Sequence, residues 1–184
     1  MKYFTPDLWL RMQSGVNPET FLMAYDEWER ELTAYTEEVS RIIPQDRRYR
    51  HLRRFALQES LHDAVVQGCW FATQYRLNLL VQPEPPAERL VLLDYALVGE
   101  PVVNRNLLPQ EFRTSQVTWM YDEFALLGAT DSADEPVFTH NILFGNGCEL
   151  IICFRQFEVS RHHALPLGLP RNASQPVSAL PETT

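Results

Sequence analysis

Five residues in the middle of the sequence have side chains that could do chemistry. They are His62, Asp63, Asp122, Glu123 and His140, whose imidazole and carboxylate groups can bind a divalent metal or exchange protons. Their spacing shows none of the short fixed offsets of HExxH, CxxC or an EF-hand loop, in which local geometry guarantees that the ligands converge. We therefore treat them as candidate catalytic residues without assigning a role. No cofactor is predicted, and metal binding stays open.

Each candidate also has a structural explanation, which the sequence favours. His62 and Asp63 lie where a helix should pass into a strand, so they are expected to cap this junction and pair there. They can reach one ligand together only if the backbone turns. Asp122 and Glu123 interrupt an apolar strand and need partners, for which the arginines of the preceding helix are candidates. His140 lies on an apolar strand face, where a hydrogen-bonded core histidine is commoner than a ligand.

The segment 117–126 reads as a strand that is apolar on both faces. Alternation with a period of two places Trp119, Tyr121 and Glu123 on one face, and Met120 and Asp122 on the other. A strand of this kind is expected in the centre of a sheet that is covered on both sides, or near an interface.

Three helices are predicted before residue 60. Thr5-Pro6 begins a helix that runs to about Gln13, and Asn17-Pro18 begins a second. In the second helix, apolar residues recur every three or four positions and form a single face that must be buried. They are Phe21, Tyr25, Trp28, Leu32, Tyr35, Val39 and Ile42. Pro44 ends this helix, and a third, rich in arginine, runs from about 46 to 60.

The remainder favours strands. They are predicted at 64–71, 75–81, 90–98 and 117–126, and in the two arms of a hairpin around Asn146-Gly147, a pair typical of a type I′ turn. The fold class is α+β, with N-terminal helices, one of them long, packed on an antiparallel, mostly meandering sheet of about six strands. We expect one domain over 1–165, helical over 1–60 and sheet over 61–165. A flexible Pro-rich tail is predicted over 166–184.

Composition excludes several functions. The chain has 184 residues and a net charge of −8, so generic binding to nucleic acid is not expected. No segment has the roughly 18 consecutive apolar residues of a membrane span, and the start lacks a leader pattern, which predicts a cytoplasmic protein. GxSxG, GxxxxGK[ST] and GxGxxG motifs are absent from the sequence. Cys69, Cys148 and Cys153 lie in apolar runs and are predicted to be buried and reduced.

Four short motifs carry a resemblance to known proteins. They are MKYFTPDLW at the start, LHDA at 61–64, WMYDE at 119–123 and HNILFGNGCELIICF at 140–154. With these motifs, the chain resembles small bacterial proteins grouped as domains of unknown function, and also some immunity-like proteins of toxin loci. The resemblance spans about residues 1–159. It implies a fold and a bacterial origin, and it transfers no catalytic residue.

Three functional hypotheses follow. The first is a non-enzymatic, immunity-like protein that binds a basic protein partner through its acidic surface. The second is a small metal-dependent or acid/base hydrolase built on the five candidate residues. The third is self-association through an exposed aromatic surface. The first is favoured because the sequence has no catalytic motif.

Overall fold

The computed structural model describes residues 1–13, 17–83, 89–127 and 135–163, and it confirms the α+β class. Three α-helices precede seven strands. The helices are α1 (Pro6–Arg11), α2 (Pro18–Ile42) and α3 (Arg50–Gln58), and the strands are β1 (Val65–Thr73), β2 (Arg76–Gln82), β3 (Arg89–Leu97), β4 (Val102–Asn104), β5 (Trp119–Leu126), β6 (Phe138–Phe144) and β7 (Glu149–His163). Single 3₁₀ turns lie at Arg47–Tyr49 and Gln110–Phe112. The predicted tail and most of the predicted turn at 127–136 lie outside the described residues.

All strand pairs of the sheet are antiparallel, in the order β1-β2-β3-β7-β6-β5, with the short strand β4 also on β7. Within the group β1-β2-β3 and within the group β5-β6-β7, neighbouring strands in the sheet are also consecutive in sequence. The 15-residue strand β7 joins the two groups because it pairs with both β3 and β6. The sheet is open but strongly curved. Strand β5 is one of its two edge strands, so the predicted central position of this strand is wrong. The two edge strands approach at one end through a bridge between Val65 and Thr118, and the Trp119 amide donates to the Ala64 carbonyl at 2.7 Å.

The β6–β7 hairpin forms as predicted, with a different turn. Only Gly147 has a positive φ, at +80°, while Asn146 does not. The Gly147 amide donates to the Phe144 carbonyl at 2.9 Å, and the Phe144 amide donates to the Cys148 carbonyl at 2.8 Å. This pattern fits a type I turn followed by a left-handed glycine, so the predicted type I′ turn is wrong.

Helices α1 and α2 begin at the prolines that the sequence indicates, and α2 ends as predicted. The other bounds differ: α1 ends at Arg11 and not at about Gln13, and α3 begins at Arg50, after a 3₁₀ turn, and not at about 46. The Thr5 hydroxyl accepts from the Leu8 amide at 3.2 Å, and the Asn17 side chain accepts from the Glu19 amide at 2.8 Å. Proline follows each cap at the first helical position, where a missing amide costs nothing. Helix α2 ends at Ile42, two residues before Pro44.

The concave face of the sheet holds the main core. Tyr35 and Val39 from α2 and Leu52 and Phe55 from α3 are buried against it. The part of α2 before Tyr35 extends past this cover, so Phe21, Tyr25 and Leu32 are exposed. The prediction that the apolar face of α2 is buried is therefore right only from Tyr35 onward.

A second, smaller core lies on the convex face. Trp9 of α1 and Leu108 pack there on Met120 and Leu143. The cysteine prediction is wrong in part: the three thiols are free, but Cys69 is exposed and the other two are half-buried. Cys69 lies in the edge strand β1, in which residues 69–73 are all exposed. No helix within the described ranges is long and apolar enough to cross a membrane.

Candidate functional site

A bulge at the start of β5 determines which side chains share the concave face. Trp119 pairs with Phe144, and Tyr121 pairs with the next residue, Leu143, so Met120 is an extra residue in the strand. The extra residue shifts the alternation by one position, which brings Trp119 to the same face as Asp122. The indole Nε1 of Trp119 donates to Asp122 Oδ1 at 2.9 Å. The predicted placement of Trp119 opposite Asp122 is therefore not observed.

Asp122 ends a buried chain of three polar side chains. His140 Nε2 lies 3.0 Å from Asp122 Oδ2, and His140 Nδ1 lies 2.8 Å from the Tyr95 hydroxyl oxygen. His140 and Tyr95 are fully buried, while the side chain of Asp122 is 22% exposed. The imidazole stacks on Phe124 with a centroid distance of 3.8 Å. His140 is thus a hydrogen-bonded core histidine, as the sequence indicates, but the side chain of its partner Asp122 is partly exposed to solvent.

Burial sets the protonation of this chain. It lowers the pKa of His140 below its ordinary value, and the hydrogen bond that the imidazole donates to Asp122 opposes this shift only in part. Burial also raises the pKa of Tyr95 well above its ordinary value, so the phenol keeps its proton. A neutral His140 then donates from Nε2 to Asp122 and accepts from Tyr95 at Nδ1. The two hydrogen-bond partners of the Asp122 carboxylate among the described residues, Trp119 and His140, are therefore neutral donors.

Asp122 lies in the wall of a pocket of about 420 Å³ between α2, the end of α3 and β5. The other lining residues are mainly aromatic and aliphatic, with a few polar groups. They are Phe4, Trp28, Leu32, Tyr35, Thr36, Ala56, Leu57, Gln58, Glu59, Ser60, His62, Met120 and Tyr121. The second carboxylate, Glu59, is already paired with Arg54 at 3.5 Å and with Arg161. Asp122 is thus the pocket carboxylate that forms no ion pair with an arginine or lysine among the described residues.

His62 also lines the pocket, next to Asp63. The backbone does turn here, since Asp63 has a left-handed φ of 62°, and His62 Nδ1 lies 2.9 Å from Asp63 Oδ2. The imidazole packs edge-on against Tyr121 at a centroid distance of 5.4 Å. The predicted pairing at this junction is confirmed, and the same turn places His62 in the pocket with Asp122.

Glu123 belongs to a different structure on the opposite face. Its carboxylate accepts from the backbone amides of Lys2, Tyr3 and Phe4 at 2.6 to 2.7 Å, which holds the N-terminal segment along β5. Glu149 lies on the same convex face and accepts from Asn104 Nδ2 at 2.9 Å. The five candidates thus separate by position. Asp122 and His62 line the pocket, His140 is buried behind Asp122, Asp63 pairs with His62, and Glu123 is a structural carboxylate.

The arginines of the helical region do not pair with Asp122 or Glu123, so that prediction is wrong. Arg53 donates to the carbonyls of Ser40 and Ile43 at 3.0 and 2.9 Å, and Arg48 pairs with Glu135 at 2.7 Å. These contacts hold the turn between α2 and α3 and the approach to β6. They lie outside the pocket.

The described residues contain no group of three or more His, Cys, Asp or Glu that could hold a metal ion. Sequence reasoning missed Tyr95 and Trp119. The signal for both was a side chain with one polar atom in an otherwise apolar strand, since a buried tyrosine or tryptophan usually finds a hydrogen-bond partner.

Comparison with known proteins adds no assignment. No protein-family model matches the sequence, and no curated protein matches it either.

Proposed function

We propose that this chain is a non-enzymatic binding protein whose pocket at Asp122 takes a cationic group from a basic partner. One observation carries the proposal. The Asp122 carboxylate is partly exposed in an aromatic pocket, and its described partners, Trp119 and His140, are neutral donors. A carboxylate in such surroundings is stabilised by a counter-charge, which a ligand would supply.

The pocket chemistry favours an organic cation. Each Asp122 oxygen accepts one hydrogen bond from the protein and has capacity for another. A hydrogen bond to a charged group contributes about 1.5 to 3 kcal/mol. Trp28, Tyr35 and Tyr121 line the same pocket, and a cation over an aromatic face gains about 0.5 to 2 kcal/mol more. A guanidinium group suits both kinds of contact because it is planar and has five donors.

The charge of the whole chain supports a basic partner. A net charge of −8 attracts a basic protein from a distance and speeds its association. An immunity-like protein that holds a basic nuclease toxin in the bacterial cytoplasm is the partner system we propose, in accord with the resemblance of the four motifs.

The test uses acetyl-arginine-amide, with acetyl-citrulline-amide as a neutral analogue of nearly the same shape. Binding is measured by calorimetry and by shifts of backbone amide signals. We expect the arginine probe to bind in the pocket and Asp122→Asn to weaken it about tenfold or more, since the change removes a charged acceptor. The matched control is Asp63→Asn, which removes the same charge beside the pocket. Asparagine also tolerates the left-handed φ at this position.

The variant is expected to fold. An asparagine at 122 can accept from Trp119 and donate to His140 Nε2, after which His140 donates from Nδ1 to Tyr95. Equal binding of the citrulline probe, or an unchanged affinity in Asp122→Asn, would overturn the proposal. An absence of pocket signal shifts at millimolar probe would do so as well.

Acid–base hydrolysis is a second candidate function, favoured by the direct contact of His140 with Asp122. In this case Asp122 would take a proton from bound substrate or water, held in orientation by His140. The assay is hydrolysis of p-nitrophenyl acetate. A rate above background that disappears in Asp122→Asn supports this function, and equal rates for the two proteins count against it.

A further inference from the structure

The first half of α2 carries a ladder of aromatic rings, which we define as Phe21, Tyr25 and Trp28. Phe21 and Tyr25 are exposed, whereas Trp28 is half-buried against the core. Phe21 and Tyr25 stack with centroids 6.3 Å apart, and Tyr25 and Trp28 follow at 5.9 Å. Phe21 is 38% exposed and Tyr25 41% exposed. Trp28 is also a pocket residue, as is Leu32 one turn further on. The ladder and the pocket therefore form one continuous surface.

The sequence explains why the ladder is uncovered. Apolar residues continue along a single face of α2, whereas the sheet and α3 bury this face only from Tyr35 onward. Short helix α1 packs on another side of α2, where Ala24 is fully buried and Arg11 pairs with Glu27 at 2.9 Å. A contiguous exposed apolar surface of this kind is typical of an interaction site.

Charge defines the partner of this surface. Helix α2 contains seven carboxylates and two arginines, a net charge of −5. Two of these carboxylates, Glu27 and Glu38, pair with arginines. Asp26 and Glu29 are exposed, and no described residue forms an ion pair with them. A segment that docks here must therefore be apolar towards the ladder and basic towards its acidic surroundings.

We infer that the ladder and the pocket form one groove for a segment of a basic protein. An arginine or lysine side chain of the segment enters the pocket at Asp122, and an apolar side chain of the same segment lies against Tyr25 and Phe21. The inference rests on the proposed function, because it needs a cation in the pocket. It adds that the ligand is a polypeptide.

Helix geometry gives the distance along α2 from the ladder to the lining of the pocket. The pocket residue Leu32 lies seven positions after Tyr25, a rise of about 10 Å along the helix. An extended chain covers this distance with about three residues. The partner segment should therefore have its apolar anchor about three residues from its cationic one.

The experiment compares two peptides by calorimetry. The first is acetyl-Leu-Ala-Ala-Arg-Ala-Ala-Leu-amide, which has an apolar anchor on either side of its arginine and so fits in both directions. The second has serine in place of both leucines. We expect the leucine peptide to bind about tenfold more tightly than the serine peptide or acetyl-arginine-amide.

Paired variants show whether the tighter binding of the leucine peptide comes from contacts with the ladder. The double change Phe21→Ser with Tyr25→Ser should abolish the tenfold difference and leave the affinity for acetyl-arginine-amide unchanged. The matched control is Leu22→Ser with Met23→Ser, which alters two more exposed side chains of α2 outside the ladder, at 61% and 65% exposure. This control should keep the tenfold difference in affinity between the leucine and serine peptides.

The outcomes separate the two proposals. If acetyl-arginine-amide binds but the leucines add nothing, or the ladder variant keeps their advantage, the groove is wrong and the cation pocket stands. If acetyl-arginine-amide does not bind, both proposals fail. Sedimentation is the remaining check: a wild-type dimer that the ladder variant converts to monomer would mean that a second copy of this chain occupies the ladder, which overturns the inference.

Discussion

Lowering the pH should destabilise the protein through His140. Its pKa is lowered in the folded state from an ordinary value of 6.5, mainly by burial. As the pH falls through 6.5, the unfolded chain binds a proton at this residue before the folded chain does, so stability is lost as the pH falls. At pH 5.5 the loss from this residue is about 1.4 kcal/mol relative to pH 8, as long as the folded imidazole remains neutral.

The assay is urea unfolding at pH 8 and pH 5.5 at constant ionic strength. His140→Gln keeps a donor for Asp122 but cannot titrate, so the stability difference between the two pH values should shrink, by up to about 1.4 kcal/mol in the limit in which the folded imidazole stays neutral. The control His62→Gln removes an exposed imidazole outside the buried chain. It should keep the part of the stability difference between the two pH values that comes from His140. An unchanged pH difference in His140→Gln would refute the reasoning, as would direct titration of the His140 ring near pH 6.5.

Three further predictions concern the scaffold. Glu123→Gln should cost about 2 to 3 kcal/mol in denaturant unfolding and speed amide exchange at Phe4, because a charged acceptor of backbone amides is lost. Gly147→Ala should cost about 1 to 2 kcal/mol of unfolding free energy, since its φ is +80° and a Cβ there would lie 3.0 Å from Arg113 Nε. The edge strand β1 has no charged residue, so sedimentation should show weak self-association at high concentration, which Phe71→Lys removes.

Local patterns predicted much of the fold. The caps at Thr5 and Asn17 fix the starts of α1 and α2, Pro44 fixes the end of α2, and Gly147 fixes the hairpin turn. Each acts through backbone chemistry that depends on neighbours in sequence. Strand β4 was missed, since it has only three residues, all of them exposed. The coverage of α2 was missed too, because periodicity shows which face is apolar and not how far the sheet extends beneath it.

The site was predictable only in part. Alternation with a period of two correctly placed Asp122 and Glu123 on opposite faces. The contact of Asp122 with His140 follows from the pairing of β5 with β6, which the predicted order allowed. Tyr95 comes from β3, which is not adjacent to β6, and it meets His140 only across the curved concave face. Sheet curvature and the bulge at Met120 depend on packing between distant strands, so no local pattern reveals them.

A crystal structure with acetyl-arginine-amide bound tests the central claim most directly. The account predicts the guanidinium about 3 Å from the Asp122 carboxylate, within the aromatic pocket. Arginine bound instead on the outward acidic surface of α2, at Asp26, Glu29 and Glu37, with the pocket unchanged, would contradict it.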